Sequence, residues 1–368
     1  MNPPAVLHVV RDWVRPSEGF VAGLIGSCEA TRPVVACGKR WPGMVSELDV
    51  QVRDLGRLAD PTSTRPRDRR TIRAALVATA IADRAKLLHA HFGYWAPHAA
   101  RTAHRLRRRW VLSLWGHDLL VEDRDAPERD ILRTADLVIV PTGFFADCAS
   151  RAGFADERIR VLPTGVDLNH LQWRESPGSG EKLTVTFAGR FVAKKGILDA
   201  AAAISRAQTE LPGLRSIFVG GGPMETELRD ALAGTQAELR DGMQPGAVAA
   251  AIEESDILLM PSRTAPNGDA ESLGYVAIEA QACGVPVIAT RHGGLTEAVG
   301  PDSGELFAEG DVPAMADAIV RLARDNARRS AMGRAGREYV ERRFELRSCT
   351  EAVEAAYFEL LRATRPVE

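Results

Sequence analysis

Short apolar runs bounded by polar or turn-forming positions recur along the chain: "AVLHVV" (5–10), "LLHAH" (87–91), "WVLSLWG" (110–116), "DLVIVPT" (136–142) and "IRVLPTG" (159–165). Longer stretches of helical spacing separate them. Strand-length runs that alternate with helices predict β-α units around a mostly parallel sheet. The rhythm pauses at 172–182, "QWRESPGSGEK", whose polar Pro-Gly-Ser-Gly character reads as a linker. It restarts with "LTVTFAG" (183–189), "RSIFVGGG" (215–222), "DILLMPS" (256–262) and "VPVIAT" (285–290). Two consecutive α/β domains are expected, 1–172 and 183–344, joined by a linker at 173–182. The tail 327–365 has helical spacing, with Val353, Ala356, Tyr357, Leu360 and Leu361 on one face. Periodicity leaves open whether a terminal helix within 345–368 packs back on the first domain or stays with the second.

A length of 368 residues agrees with two cores rather than one. With 45% hydrophobic and 26% charged residues, the composition is that of an ordinary globular protein. A net charge of -2 argues against a dedicated nucleic-acid binder. The five cysteines, Cys28, Cys37, Cys148, Cys283 and Cys349, are scattered without C-x-x-C spacing, which indicates neither a disulfide framework nor a zinc site. The N-terminus lacks a signal-peptide pattern, and no apolar run approaches the ~18 residues needed to span a bilayer. These features predict a cytoplasmic protein, monomeric or homodimeric.

In open parallel sheets, ligands bind beyond the carboxyl ends of the strands, where helix N-termini offer N–H groups and partial positive charge. In "FAGRFVAKKG", Arg190 and Lys195 flank such a junction and suit a phosphate, although solvated loop charges explain this segment equally well on its own. "IFVGGGPMETEL" places Gly221 at a second strand end, but Glu225 stands where a dinucleotide fingerprint needs its third glycine. In "ESLGYVAIEAQACGVPVIAT", the spacing predicts a helix from about Gly274 to Cys283, with Glu271 just before it and Glu279 inside it. Carboxylates accept hydrogen bonds and so suit a ligand rich in hydroxyls; the N–H groups of Ser272, Leu273 and Gly274 suit an anion. The competing assignment makes Glu271 a helix-capping residue and Glu279 a solvated one.

The E-x7-E pair, followed by "EAQACGVPVIATRHGGLTEAV", resembles the donor-binding signature of family-four retaining glycosyltransferases. "GRFVAKKG" is similar to their G-R-x4-K-G phosphate motif, and "ADLVIVPT…RIRVLPTGVD" and "SDILLMPSRTAPNGDAESLG" extend the likeness over most of the chain. The resemblance implies a GT-B fold: two Rossmann-like domains facing a cleft, with a C-terminal helical tail. It also implies retaining transfer of a sugar from a UDP or GDP sugar to a hydroxylated acceptor, with neither cofactor nor obligatory metal. By position, Glu271 would bind donor-sugar hydroxyls, Glu279 the ribose, and Arg190 and Lys195 the diphosphate. Backbone at Leu273 and Gly274 would complete the phosphate pocket. Asp123 and Asp125, a formal D-x-D, read as a solvated stretch. Same-face attack assisted by the departing phosphate would then need a site that stabilises leaving-group charge.

The first domain departs from the pattern. "SLWGHDLL" puts Trp115 where family members commonly have the histidine of His-Gly-x-Asp, and His117 two residues on. His117 becomes the candidate catalytic residue of this domain, and Asp118 a candidate for holding its loop. The aromatic Trp115 would favour a sugar handled by stacking, such as one lacking a 6-hydroxyl. "RPSEGFVAGLI" resembles the S-E-T-F-I opening of exopolysaccharide-assembly members, which makes Ser17, Glu18 and Gly19 candidate acceptor contacts. His91, Tyr94 and Trp95 in "HAHFGYWAPHAARTAH" are candidate sugar-stacking groups, with core packing as the alternative. "RTAHRLRRRW" (101–110) concentrates arginines on a helix, as a solvated face or as a peripheral membrane contact for a lipid-linked acceptor. A nucleotide-sugar epimerase and a non-catalytic nucleotide-sugar-binding protein are the alternatives to a transferase.

Overall fold

The computed structural model describes residues 3–13, 18–41, 50–58, 65–120, 126–174, 183–242, 244 and 246–363. The chain divides into two units, one running to Gly165 and including the helix Leu346–Arg362, the other spanning Val166–Glu345.

In the first unit the strands are β1 (Ala5–Trp13), β2 (Arg32–Arg40), β3 (Gln51–Asp54), β4 (Ala85–His91), β5 (Arg109–Ser113), β6 (Leu137–Val140) and β7 (Ile159–Val161). They form a parallel sheet in the order β3-β2-β1-β4-β5-β6-β7, so the winding reverses between β1 and β4. The central strands are buried on both faces, which is why they read as continuous apolar runs. One face packs on helices Pro66–Ala82 and Ala96–Leu106. The other packs on Gly19–Gly26 and on Val353, Ala356 and Tyr357 of the terminal helix.

In the second unit the strands are β8 (Thr184–Arg190), β9 (Arg215–Gly221), β10 (Ala237–Asp241), β11 (Ile257–Met260), β12 (Val287–Thr290) and β13 (Gly304–Phe307). Their order is β10-β9-β8-β11-β12-β13, again parallel and with the reversal at β8 and β11. Four strands lie outside the apolar runs read from the sequence. β2 is interrupted by Pro33 and Gly38, and β3, β10 and β13 are short edge strands without a fully buried face.

The division between units falls at Gly165 and Val166, earlier than the expected end at 172. Val166 joins a core of the second unit, Trp173 packs over Gly284, and the Arg174 guanidinium donates to the Ser255 carbonyl. The rest of the expected linker, 175–182, lies outside the described residues.

The tail is two helices. Asn326–Arg343 belongs to the second unit, where Gly333 and Gly336 allow close approach to Gly284 and Gln281. After Phe344 and Glu345, the helix Leu346–Arg362 belongs to the first. Glu354 and Tyr357, both buried, anchor it there. Glu354, 3% exposed, accepts from the backbone N–H groups of Glu29, Ala30 and Thr31 and from the Thr31 hydroxyl. The Tyr357 hydroxyl lies 2.5 Å from His89 Nδ1.

His89 is part of a buried imidazole group on the same sheet face. His8 Nδ1 is 3.0 Å from His91 Nε2, and His89 Nε2 is 2.7 Å from the Ser113 hydroxyl. One ligating atom from each of the three rings can be chosen so that all lie within 4.8 Å of one another. Burial lowers all three pKa values, His8 to about 3, so the rings are neutral in the folded state. Among the described residues, no helix is long and apolar enough to cross a membrane.

Candidate functional site

The second unit gathers its chemistry at the carboxyl ends of β8, β11 and β12. Arg190 ends β8 and is exposed, with no ion pair among the described residues. The chain then turns through Ala193–Lys195 to Gly196, whose φ is 63°. A Cβ on Gly196 would stand 1.8 Å from the Pro261 carbonyl oxygen, so this position must be glycine for the β8 turn to lie against the turn after β11. Arg263 N–H donates to the Lys194 carbonyl across the same contact.

This approach sets two ion pairs side by side. Lys195 Nζ is 2.5 Å from Glu271 Oε2, and Lys194 Nζ is 2.8 Å from Asp269 Oδ2. Burial pushes the Glu271 carboxyl up, but Lys195 and then Lys194 outweigh it, and the net shift is down. Glu271 is therefore ionised and partnered. Lys194 and Asp269 bear no part in the sequence expectations; only the folded contact reveals them.

The expected helix is present as Tyr275–Ala282, with Gly274 before it at φ 90° and Gly284 past its end at φ 82°. Leu273 is buried at 1% exposure, and the Leu295 side chain fills the space a Gly274 Cβ would need. Glu279 is partly buried on this helix. It has no hydrogen-bond or ion-pair partner among the described residues, and burial alone raises its pKa to about 7. The capping-and-solvated alternative does not hold: Glu271 makes an ion pair instead of a cap, and Glu279 is not a freely solvated surface charge. Gly221 ends β9 with open space where its side chain would be.

Sequence reasoning also passed over the turn after β12. His292, 3% exposed, has Nε2 3.0 Å from the Glu271 backbone nitrogen and Nδ1 2.7 Å from Glu309 Oε1. The adjacent glycines press against the Glu271 segment: Cβ atoms on Gly293 and Gly294 would meet the Glu271 and Ser272 carbonyl oxygens at 2.4 and 2.0 Å. The quoted "RHGG" holds this signal, but nothing in it names Glu309 as the partner.

In the first unit several candidates are withdrawn from solvent. Trp95, 2% exposed, is part of the hydrophobic core and offers no ring face to an acceptor. His91, 1% exposed, is turned inward to His8. Trp115, 5% exposed, stacks parallel to His91 at 6.3 Å and edge-on to Phe20, so its ring is a core element, with an indole N–H that has no partner among the described residues. Tyr94 is half-buried beneath the Arg11 guanidinium, 3.9 Å from its ring centre. Asp118 accepts from the N–H groups of Gly93, Trp115 and Gly116, knotting the turns after β4 and β5 together. Glu18 precedes the helix Gly19–Gly26, and Gly19 faces open space. His117 opens the short helix His117–Leu120. Ser17, Asp123 and Asp125 lie outside the described residues.

Two Rossmann-like units with parallel sheets of seven and six strands define a GT-B protein. The family described as "Glycosyltransferase Family 4" matches residues 33–170, and "Glycosyl transferases group 1" matches 170–339. D-inositol 3-phosphate glycosyltransferase of Saccharomonospora viridis is 31% identical over 74% of this chain and 67% of its own length. An Escherichia coli (strain K12) protein named for colanic acid biosynthesis, glycosyltransferase WcaL, is 29% identical over 71% of this chain and 67% of its own. Anabaena Alr3699/HepE in complex with UDP and glucose matches in fold with a TM-score of 0.76 at 20% identity, covering 97% of this chain and 100% of that one. The chain belongs to the family-four, group 1 glycosyltransferases.

Proposed function

We propose that the chain transfers a sugar from a nucleotide diphosphate to a hydroxylated acceptor with retention of anomeric configuration, the donor lying on the second unit. Support comes above all from the Lys195–Glu271 pair at the point where the sheet reverses its winding, with Arg190, which has no ion pair among the described residues, ending the adjoining strand β8. The diphosphate is held by Arg190, Lys195 and the N–H groups at 272–274. Glu271 accepts from donor-sugar hydroxyls and Glu279 from the ribose. UDP is the first nucleotide to test, because HepE is a UDP complex.

As the glycosidic bond breaks, negative charge builds on the leaving phosphate. Fixed cations and backbone dipoles stabilise that charge without reorganising, which is the larger part of such catalysis. An oxygen of the departing diphosphate takes the acceptor proton on the same sugar face, so no protein nucleophile is needed. Side-chain cations and amides neutralise the diphosphate, and turnover should therefore withstand chelation.

The acceptor is a saccharide, a lipid-linked saccharide or a small natural product. A peripheral membrane contact is favoured by a basic face in the first unit wider than "RTAHRLRRRW" alone. Helices Pro66–Ala82 and Ala96–Leu106 pack together and carry Arg69, Arg70, Arg73 and Arg101. The Arg73 pKa is lowered by burial and then by the other three guanidinium groups, a mutual repulsion that an anionic surface would relieve. Flotation with anionic vesicles at low and moderate salt tests this, and failure to bind at either removes it.

The test of function is acceptor-dependent release of nucleoside diphosphate, with the product anomer read by NMR and the reaction repeated in excess chelator. A new nucleotide sugar formed without acceptor would point to an epimerase, and an inverted product would exclude the same-face mechanism.

A further inference from the structure

The turns after β11, β12 and β13 converge on one buried imidazole. The Glu271 backbone N–H can only donate, so His292 Nε2, 3.0 Å away, must present a lone pair. The ring proton then sits on Nδ1 and is donated to Glu309 Oε1 at 2.7 Å. Glu309 in turn accepts from the Thr264 backbone N–H at 2.9 Å and from its hydroxyl at 3.0 Å. Burial raises the Glu309 pKa, but Thr264 and His292 lower it further, and the carboxylate is ionised. A carboxylate that orients an imidazole, which then fixes a third group, is the arrangement that selects one tautomer in catalytic and metal sites. Here the third group is neither nucleophile nor metal but the main chain that carries Glu271.

We propose that His292 is a positioning residue of the donor site: as the Nδ1-protonated imidazole, backed by Glu309, it fixes the segment from Glu271 to Gly274 in the register that aims the Glu271 carboxylate at the donor sugar. This rests on the donor assignment above. Gly294 N–H donates to the Glu271 carbonyl at 2.9 Å, so the backbone secures one side of that residue and His292 the other. Lys195 reaches the same residue through its side chain. Without His292 the Glu271 N–H loses its acceptor in a part-buried place, and among the described residues Lys195 is the one partner left to the carboxylate. The imidazole serves the reaction through this geometry, because misplacing a binding group by about an ångström is enough to cost a large factor in rate.

The test uses the full chain with His292→Ala and His292→Gln, the amide of glutamine offering one acceptor and one donor. Three quantities are read: kcat and KM for the nucleotide sugar, affinity for the nucleoside diphosphate alone, and the histidine tautomer in a 15N-resolved spectrum of the wild-type protein. The expected result is a loss of at least about tenfold in kcat/KM for His292→Ala, greater than its loss of diphosphate affinity, with partial recovery in His292→Gln. The spectrum should show His292 protonated at Nδ1 and bare at Nε2. A His292→Ala enzyme within twofold of wild type, equal losses of turnover and diphosphate affinity, or the opposite tautomer would each overturn the proposal. Should the wild-type chain turn over no nucleotide sugar, the functional assignment fails separately, and the tautomer decides the role of His292 in holding the turn.

Discussion

Glu279 is a carboxyl that the protein keeps at a cost to its own stability. Burial raises its pKa to about 7, against 4.5 for the free side chain, and no cation among the described residues compensates. The unfolded chain thus binds fewer protons than the native state between those two values. Stability conferred by the protonated form is complete below the lower value and is lost as pH rises through the upper one. At about pH 8, Glu279→Gln should therefore stabilise the second unit, by at most about 3 kcal/mol, with no gain at about pH 4. The same substitution should weaken donor binding. If the ionised carboxylate is what accepts the ribose hydroxyls, wild-type affinity for a nucleotide sugar falls nearly tenfold per pH unit below 7. That amounts to about 30-fold, or about 2 kcal/mol, between the alkaline plateau and about pH 5.5. A nucleotide sugar is the right probe because its diphosphate diester does not titrate in this range, unlike a free nucleoside diphosphate. Calorimetric titration from about pH 5.5 to 8.5, paired with thermal unfolding at both ends, reads both effects. A flat affinity profile in the wild-type protein, or a Glu279→Gln protein less stable at about pH 8, would refute the reasoning.

Other consequences are open to measurement. Lys195→Met leaves Glu271 unpaired in a site that is about seven-eighths sheltered, and should cost about 3 kcal/mol in denaturant unfolding; adding Glu271→Gln should recover most of it, and additive losses would contradict the pairing. Burial lowers His8 to about 3, burial and then the nearby Arg73 lower His98 on the helix Ala96–Leu106 to about 4, and with the lowered values of His89 and His91 these make the first unit acid-labile. Their contribution is complete above the unfolded value of 6.5 and is lost as pH falls towards the folded values, at about 2 kcal/mol per neutral ring by about pH 5. An unfolding midpoint that does not change between about pH 7.5 and 5 would count against neutral rings. Glu354→Ala strips the acceptor from four donors at residues 29–31, and limited proteolysis should then cut within 346–362 faster than in the wild-type chain; equal rates would show that Tyr357 and the apolar face suffice.

The two-domain α/β organisation was legible because the central strands of a parallel sheet are buried on both faces and must be apolar throughout. The edge strands β3, β10 and β13 were not, since half-exposed backbone carries no such demand. For the proposed donor site, E-x7-E and G-R-x4-K-G singled out Glu271, Glu279, Arg190 and Lys195, but not which of them touch. Lys195 meets Glu271 across 76 residues, through a close approach that Gly196 permits. His292 and Glu309 escaped notice because an imidazole that serves a backbone N–H leaves no spacing rule. The aromatic candidates Trp95 and Trp115 misled for the opposite reason: a tryptophan near a strand end fits a sugar platform and a core equally well until burial is known.

The proposed transfer requires a shared diphosphate and sugar pocket in the second unit. A crystal structure of the chain with a bound, non-hydrolysable nucleotide sugar tests this directly. The predicted result places the diphosphate oxygens within hydrogen-bond reach of Arg190 and Lys195, sugar hydroxyls on Glu271 and ribose hydroxyls on Glu279. A nucleotide sugar seated elsewhere, with Lys195 still paired to Glu271 and Glu279 untouched, would contradict it.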